Sequence, residues 1–80
     1  MSYETLAIRM FGENGLERTP EEYDEHISNL REGYADLIRE QFIDGKSPEE
    51  IAKERGLETD TINRTMNIAL RKLEESMNPD

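Results

Sequence analysis

The segment from Ser47 to Leu73 constrains the fold more than any other part of the chain, because it contains two helical patterns separated by one short turn. Ser47 is a favoured N-cap residue, Pro48 suits the first helical position, and Glu50 can complete a capping box. Gly56 can adopt the left-handed conformation that ends a helix at its C-terminus. The sequence therefore predicts a short first helix that begins at Ser47 and ends just before Gly56.

A second helical pattern follows this glycine almost at once and extends to Met77. Its apolar residues recur with the helical period, so they fall on one face: Ile62, Met66, Ala69, Leu70, Leu73 and Met77. Two helices joined by a short turn that contains glycine are typical of a helix-turn-helix unit. An ordinary helical hairpin has similar punctuation, and it is the alternative structural interpretation of this segment.

The residues around the turn predict how the two helices pack. Ala52 has a small side chain four positions before Gly56, which would let the helices cross closely. Leu57 is expected to point inward from the turn. We expect the motif helices to bury three residues between them, with a further residue from the preceding helix beneath: Ala52, Ile62, Met66, and Leu37 or Ile38.

Four short motifs in this part of the chain are similar to those of a known family. They are Gly45-Lys46-Ser47-Pro48-Glu49-Glu50-Ile51-Ala52, Gly56-Leu57, Thr61-Ile62 and Ala69-Leu70-Arg71-Lys72-Leu73. Together they resemble the fourth conserved region of bacterial RNA polymerase sigma factors, over about residues 30–73. The resemblance implies an all-helical domain that reads a promoter element through its second motif helix and also contacts RNA polymerase.

The residues before this unit predict one long helix and one short helix. Residues 19–22 (Thr-Pro-Glu-Glu) repeat the start signal of residues 47–50, so a single helix is predicted over residues 20–44. Gly33 lies inside this helix and predicts a bend or a close helix contact there. A short helix is also predicted near the N-terminus, with Ser2 as its cap and Leu6, Ala7 and Met10 on its inner side.

These elements predict an all-α fold of three to four helices. The predicted organisation is a short N-terminal helix and turn over residues 1–18, followed by a helix-turn-helix domain over residues 19–80. The N-terminal segment is too short to fold alone, so it would pack on the same domain or serve as a dimer or partner contact.

The charge of the chain is strongly acidic and unevenly distributed. The formal net charge is −9: residues 1–45 carry four basic and eleven acidic side chains, and residues 46–80 carry six and eight. Because phosphate binding favours Lys and Arg, a DNA-binding protein with this balance is expected to bind weakly as a monomer. The acidic residues of the predicted helix 20–44 are most simply a solvated face, and alternatively a surface for a basic partner.

Composition argues against several classes of function. The 80 residues are 34% apolar, which predicts one domain with a thin core and no deep catalytic cavity; a homodimer would bury further apolar area. The chain has no cysteine and one histidine, His26, so neither a metal site nor enzymatic activity is expected. No cofactor is expected either, since glycine-rich phosphate loops are missing. Without a signal peptide or a membrane-length apolar run, a cytoplasmic protein is expected.

The outer side of the second motif helix is the predicted DNA-reading face. Its five polar residues are Thr61, Asn63, Arg64, Asn67 and Arg71. Asn can pair bidentately with adenine, and Arg with guanine or phosphate, so these side chains suit the grooves of double-stranded DNA. The sequence thus predicts a small sigma-region-like DNA-binding protein of transcription regulation. The alternative is an acidic interaction module that binds RNA polymerase or another transcription factor.

Overall fold

The computed structural model describes residues 3–78, which form five α-helices and two tighter or wider helical turns. These are α1 (Tyr3–Phe11), a 3-10 helix (Gly12–Glu17), α2 (Pro20–Ser28), α3 (Glu32–Ile38) with a π-helical continuation (Arg39–Ile43), α4 (Pro48–Arg55) and α5 (Thr59–Met77). No strand occurs between residues 3 and 78, so the predicted all-α class is confirmed. The predicted Ser2 cap lies outside the described residues.

The prediction of a single helix over residues 20–44 is wrong, and residues 3–78 therefore form five α-helices where three to four were expected. α2 ends at Ser28, and its last turn is tightened by bonds from Asn29 N to His26 O (3.2 Å) and from Leu30 N to Ile27 O (3.0 Å). Ser and Asn favour turns because their side chains compete for backbone groups. Ser28 Oγ donates to Asp24 O at 2.9 Å in this way.

The bend predicted at Gly33 lies instead just before α3. Arg31 has an extended backbone (φ −57°, ψ 143°), and α3 begins at Glu32, so Gly33 sits in the first turn of the new helix. A Cβ built on Gly33 would meet nothing within 4 Å, so packing does not require glycine there. The break allows α2 and α3 to turn separate faces toward one core, with Ile27 buried on α2 and Leu37 and Ile38 buried on α3.

The capping signals of α4 act as predicted. Ser47 Oγ accepts from Glu50 N (3.1 Å), and Glu50 Oε1 accepts from Ser47 N (3.2 Å), which completes the capping box. Gly56 ends the helix at φ 69°, and Leu57 N donates to Ala52 O at 2.9 Å. These two features form a Schellman turn, in which the left-handed residue favours glycine. α5 then begins at Thr59 and ends at Met77.

The predicted inward orientation of Leu57 is wrong, because its side chain is 49% exposed. In a Schellman turn this residue usually packs on the side chain three or four positions before the helix end. The residue whose carbonyl it bonds is Ala52, which is buried and offers only a methyl group. Leu57 instead lines a groove beside the turn, together with Tyr34, Leu37 and Ile62.

One buried core joins all five helices. The expected residues Ala52, Ile62 and Met66 are buried, as are both Leu37 and Ile38. Within residues 3–78 the buried apolar side chains of this core are Leu6, Ala7, Tyr23, Ile27, Ala35, Leu37, Ile38, Ile51, Ala52, Ile62, Met66, Ala69, Leu70, Leu73 and Met77. This burial confirms the predicted register of α5.

The N-terminal helix belongs to this core. Leu6 and Ala7 are buried, and the 3-10 helix folds Gly15 against Ala7 so closely that a Cβ there would lie 2.5 Å from the Ala7 carbonyl oxygen. Tyr23 donates a hydrogen bond from its hydroxyl to Gly15 O at 2.8 Å. Burial raises the pKa of the Tyr23 hydroxyl, so it stays protonated as a donor. α1 therefore has a defined position against the later helices.

Candidate nucleic-acid interface

α5 presents the five predicted reading residues on its outer side, but it does not bring all of them together. Thr61, Asn63, Arg64, Asn67 and Arg71 are all exposed. At about 100° per residue, Arg64, Asn67 and Arg71 form one row opposite the buried face, about 10 Å long from Arg64 to Arg71. Thr61 and Asn63 lie on opposite flanks of this row, about 160° apart around the helix axis. The recognition row is therefore Arg64, Asn67 and Arg71.

Arg64 is held by an acidic neighbour on the same helix. Its guanidinium donates to Asp60 Oδ2 at 2.9 Å, and both side chains are 76% exposed. Such a pair one helical turn apart stabilises a helix by only about 0.2–0.5 kcal/mol, because water competes for both groups. Arg64 can thus exchange Asp60 for a phosphate at small cost, although the carboxylate still lowers the local positive potential.

Asn67 is in contact with a residue that the sequence did not predict. Arg9 near the end of α1 places Nη2 3.5 Å from Asn67 Oδ1, across 58 positions of sequence. The helical period places Arg9 one turn after the buried Leu6, at the flank of the buried face of α1, and this signal was available in the sequence. The packing of α1 on α5 was not, since nothing local specifies which helices meet.

A cleft of about 330 Å³ separates α1 from the second half of α5. It is lined by Arg9, Met10, Asn67, Leu70, Arg71 and Glu74. Three of these residues carry hydrogen-bond donors suited to an anion, whereas Glu74 carries a like charge that opposes one. This cleft continues the recognition row onto α1.

Two of the basic residues next to the motif have structural roles. Lys46 Nζ lies 2.9 Å from Glu54 Oε1 and 3.8 Å from Glu40 Oε1, and Arg55 also pairs with Glu40. The hydrogen bond to Glu54 raises the pKa of Lys46, which keeps the ammonium charged. This network ties α4 to the π-helical turn. The basic residues of α5 are outside this network, and they are the ones that can meet an external anion: Arg64, Arg71 and Lys72.

The acidic face expected on the predicted long helix is divided between α2 and α3. Six of its carboxylates are exposed and form no ion pair within residues 3–78: Glu21, Glu22, Glu25, Glu32, Asp36 and Asp44. Asp24 and Glu40 differ from these, since they pair with Arg39 and with Lys46 and Arg55 respectively. The unpaired set forms a strongly negative surface.

His26 is half-buried and joins two helices. Its Nδ1 lies 2.8 Å from Ser76 Oγ at the end of α5. Within residues 3–78 no group of three or more His, Asp or Glu side chains is arranged to hold a metal ion. The same residues include no helix that is long and apolar enough to cross a membrane.

Comparisons of the chain with protein-family models, with curated proteins and with solved structures gave no match.

Proposed function

We propose that this chain is a small helix-turn-helix protein that binds double-stranded DNA and acts in transcription regulation. The observation that carries the proposal is the row of Arg64, Asn67 and Arg71 on the outer side of α5, a helix whose other side packs on α4 across a Schellman turn. In helix-turn-helix proteins the second helix presents such side chains to the major groove. The motif resemblance to sigma region four supports the same function and adds RNA polymerase as a second partner in the cytoplasm.

The charge of the protein sets the expected strength of binding. Asp60 lies beside Arg64 and Glu74 beside Arg71, so the recognition row is interrupted by negative charge. A monomer with so few free cations is expected to bind duplex DNA with a Kd of about 10⁻⁴–10⁻⁶ M, which is the range of non-specific contact. Tighter binding would need a homodimer or attachment to polymerase, since a linked second contact raises the effective concentration.

A fluorescence polarisation titration with a short labelled duplex, repeated over a series of salt concentrations, tests this proposal. We expect Arg64→Ala and Arg71→Ala each to weaken binding and to lower the slope of log K against log salt by about 1, because each loss removes one phosphate contact. Arg39→Ala is the matched control. It removes the same charge from a residue of the π-helical turn, outside α5, whose guanidinium donates to Asp24 and Ser28 of α2.

Two results would contradict a DNA-binding role. One is an absence of salt-dependent binding by the wild-type protein at low salt. The other is equal behaviour of the Arg64, Arg71 and Arg39 variants, which would mean that any binding is unrelated to the outer side of α5. Melting curves of all variants are needed to confirm that each is folded.

A second candidate function is supported by the unpaired carboxylates of α2 and α3. An exposed acidic surface without internal cations suits a basic protein partner such as polymerase or another transcription factor, since complementary charge steers association. In this case reversal of Glu21 and Glu25 to Lys should abolish capture by purified polymerase, whereas Arg64→Ala should not change it. Like charges one turn apart destabilise a helix by a few tenths of a kcal/mol, and both forms keep a like-charged pair, so the reversal preserves this cost.

A further inference from the structure

The position of α1 is set by buried contacts in the common core, so Arg9 at the flank of its buried face has a defined position relative to the recognition row. Leu6 and Ala7 are buried in the common core, and Gly15 packs directly on the backbone of Ala7. The hydrogen bond from Tyr23 to Gly15 O ties this corner to α2. Arg9 therefore contacts α5 from a helix that is packed in the core.

Arg9, Asn67 and Arg71 line the same α1–α5 cleft. Arg9 Nη2 is 3.5 Å from Asn67 Oδ1, and Arg71 lines the same cleft one helical turn further along α5. Neither guanidinium forms an ion pair with any residue between 3 and 78. Two guanidinium groups and an amide in one cleft provide several N–H donors for one oxyanion, and guanidinium groups recognise phosphate especially well.

We propose that the α1–α5 cleft binds a backbone phosphate of duplex DNA, with Arg9 and Arg71 as its cationic groups and the Asn67 amide as a third donor. This inference rests on the proposed DNA-binding function and adds a contact from outside the helix-turn-helix. Met10 and Leu70 form the apolar part of the lining. α1 is thus an arm of the DNA interface as well as part of the core.

Glu74 is the feature of the cleft that opposes an anion. Its carboxylate lines the same space as Arg9 and Arg71, so removing its charge should favour phosphate binding. This makes Glu74→Gln a gain-of-binding variant.

The test uses the same labelled duplex with four variants: Arg9→Ala, Arg9→Lys, Glu74→Gln and the control Arg39→Ala. Loss of one phosphate contact lowers the salt slope by about 0.9, so the penalty of Arg9→Ala should shrink by about 3.5-fold between about 50 and about 200 mM salt. Arg9→Lys keeps the charge and should keep the wild-type slope. Glu74→Gln should tighten binding at low salt, and Arg39→Ala should match the wild type.

The outcomes separate this inference from the function on which it rests. If Arg64→Ala weakens binding but Arg9→Ala behaves like Arg39→Ala, the cleft is not a phosphate site and the DNA-binding function stands without it. If Arg9→Lys loses the slope as fully as Arg9→Ala, the role of Arg9 is not its charge, and the inference is overturned. If the wild-type protein shows no salt-dependent binding, the proposed function and this inference fail together. Thermal melts of the Arg9 variants should match the wild type, because Arg9 is exposed.

Discussion

Ile62 provides the sharpest test of the packing on which the recognition row depends. Its side chain is 2% exposed, on the face of α5 opposite Arg64 and Arg71. Changing Ile62 to Ala removes several buried methyl and methylene groups and leaves a cavity, which typically costs about 2–5 kcal/mol. A domain of this size is stable by about 4–12 kcal/mol, at about 0.05–0.15 kcal/mol per residue. The substitution should therefore remove a large part of the total stability.

Ile68 supplies a matched control on the same helix. It is 41% exposed, so Ile68→Ala makes the identical chemical change at a site that buries much less surface. Its effect should be within about 0.5 kcal/mol of zero, and the higher helix propensity of Ala could offset the lost contacts. The difference between the two variants isolates the burial of Ile62 from any effect of the substitution on the helix itself.

Urea denaturation followed by circular dichroism measures both free energies of unfolding. We expect the midpoint for Ile62→Ala to fall well below the wild type, with the slope against urea unchanged. In thermal melts the same loss corresponds to a drop of roughly 8–40 °C, since about 1 kcal/mol shifts a domain of this size by about 4–8 °C. Equal free energies for the Ile62 and Ile68 variants would refute the register of α5, and with it the alignment of Arg64, Asn67 and Arg71.

Two further predictions concern the corner that holds α1. Gly15→Ala should destabilise the protein by about 1–3 kcal/mol in urea melts, because its Cβ would lie 2.5 Å from the Ala7 carbonyl oxygen. Gly33→Ala, which has open space at its Cβ, should stabilise the protein by up to about 1 kcal/mol. A more stable Gly15→Ala than Gly33→Ala would contradict the close packing of Gly15 on Ala7. Burial raises the pKa of Tyr23 from its ordinary 10.0, so its contribution is complete below that value and is lost as pH rises through the raised pKa. The pKa values of Tyr3 and Lys46 are raised as well, so some stability is lost at high pH even without the Tyr23 hydroxyl. The melting temperature of Tyr23→Phe should therefore still fall above about pH 10, but less steeply than that of the wild type. Parallel curves for the two proteins would contradict a buried Tyr23 hydroxyl.

The parts of the fold that the sequence predicted correctly depend on short-range signals. The capping box of Ser47 and Glu50 and the stop at Gly56 use atoms within a few residues of each other, so their residue types suffice to predict them. The buried face of α5 follows from one apolar residue per helical turn over five turns. Such a periodic pattern predicts the buried face of a helix well because the same spacing is repeated in every turn.

The errors arise where competing short-range and long-range effects decide the structure. The break after Ser28 has no glycine or proline, and its polar residues also occur within helices. The apolar period of residues 20–44 therefore continued across the break and predicted one helix. Leu57 was predicted to be buried because it is apolar, but the methyl group of Ala52 leaves it no partner in the turn. The contact of Arg9 with Asn67 depends on how α1 packs, which no local pattern encodes.

The net charge of −9 is a poor guide to whether this protein binds DNA, because binding depends on charges near the contact. Tyr23 and Ile27 turn the inner side of α2 toward the core, and α5 turns its buried face toward the same core. The carboxylates of α2 and the row on α5 consequently lie on the sides of their helices that face away from the core. At physiological salt the Debye length is about 8 Å, so charges on the far side of the core are largely screened. On the proposed function, Asp60 and Glu74 then oppose DNA more strongly than the acidic first half of the chain, since they lie among the cations that a phosphate would meet.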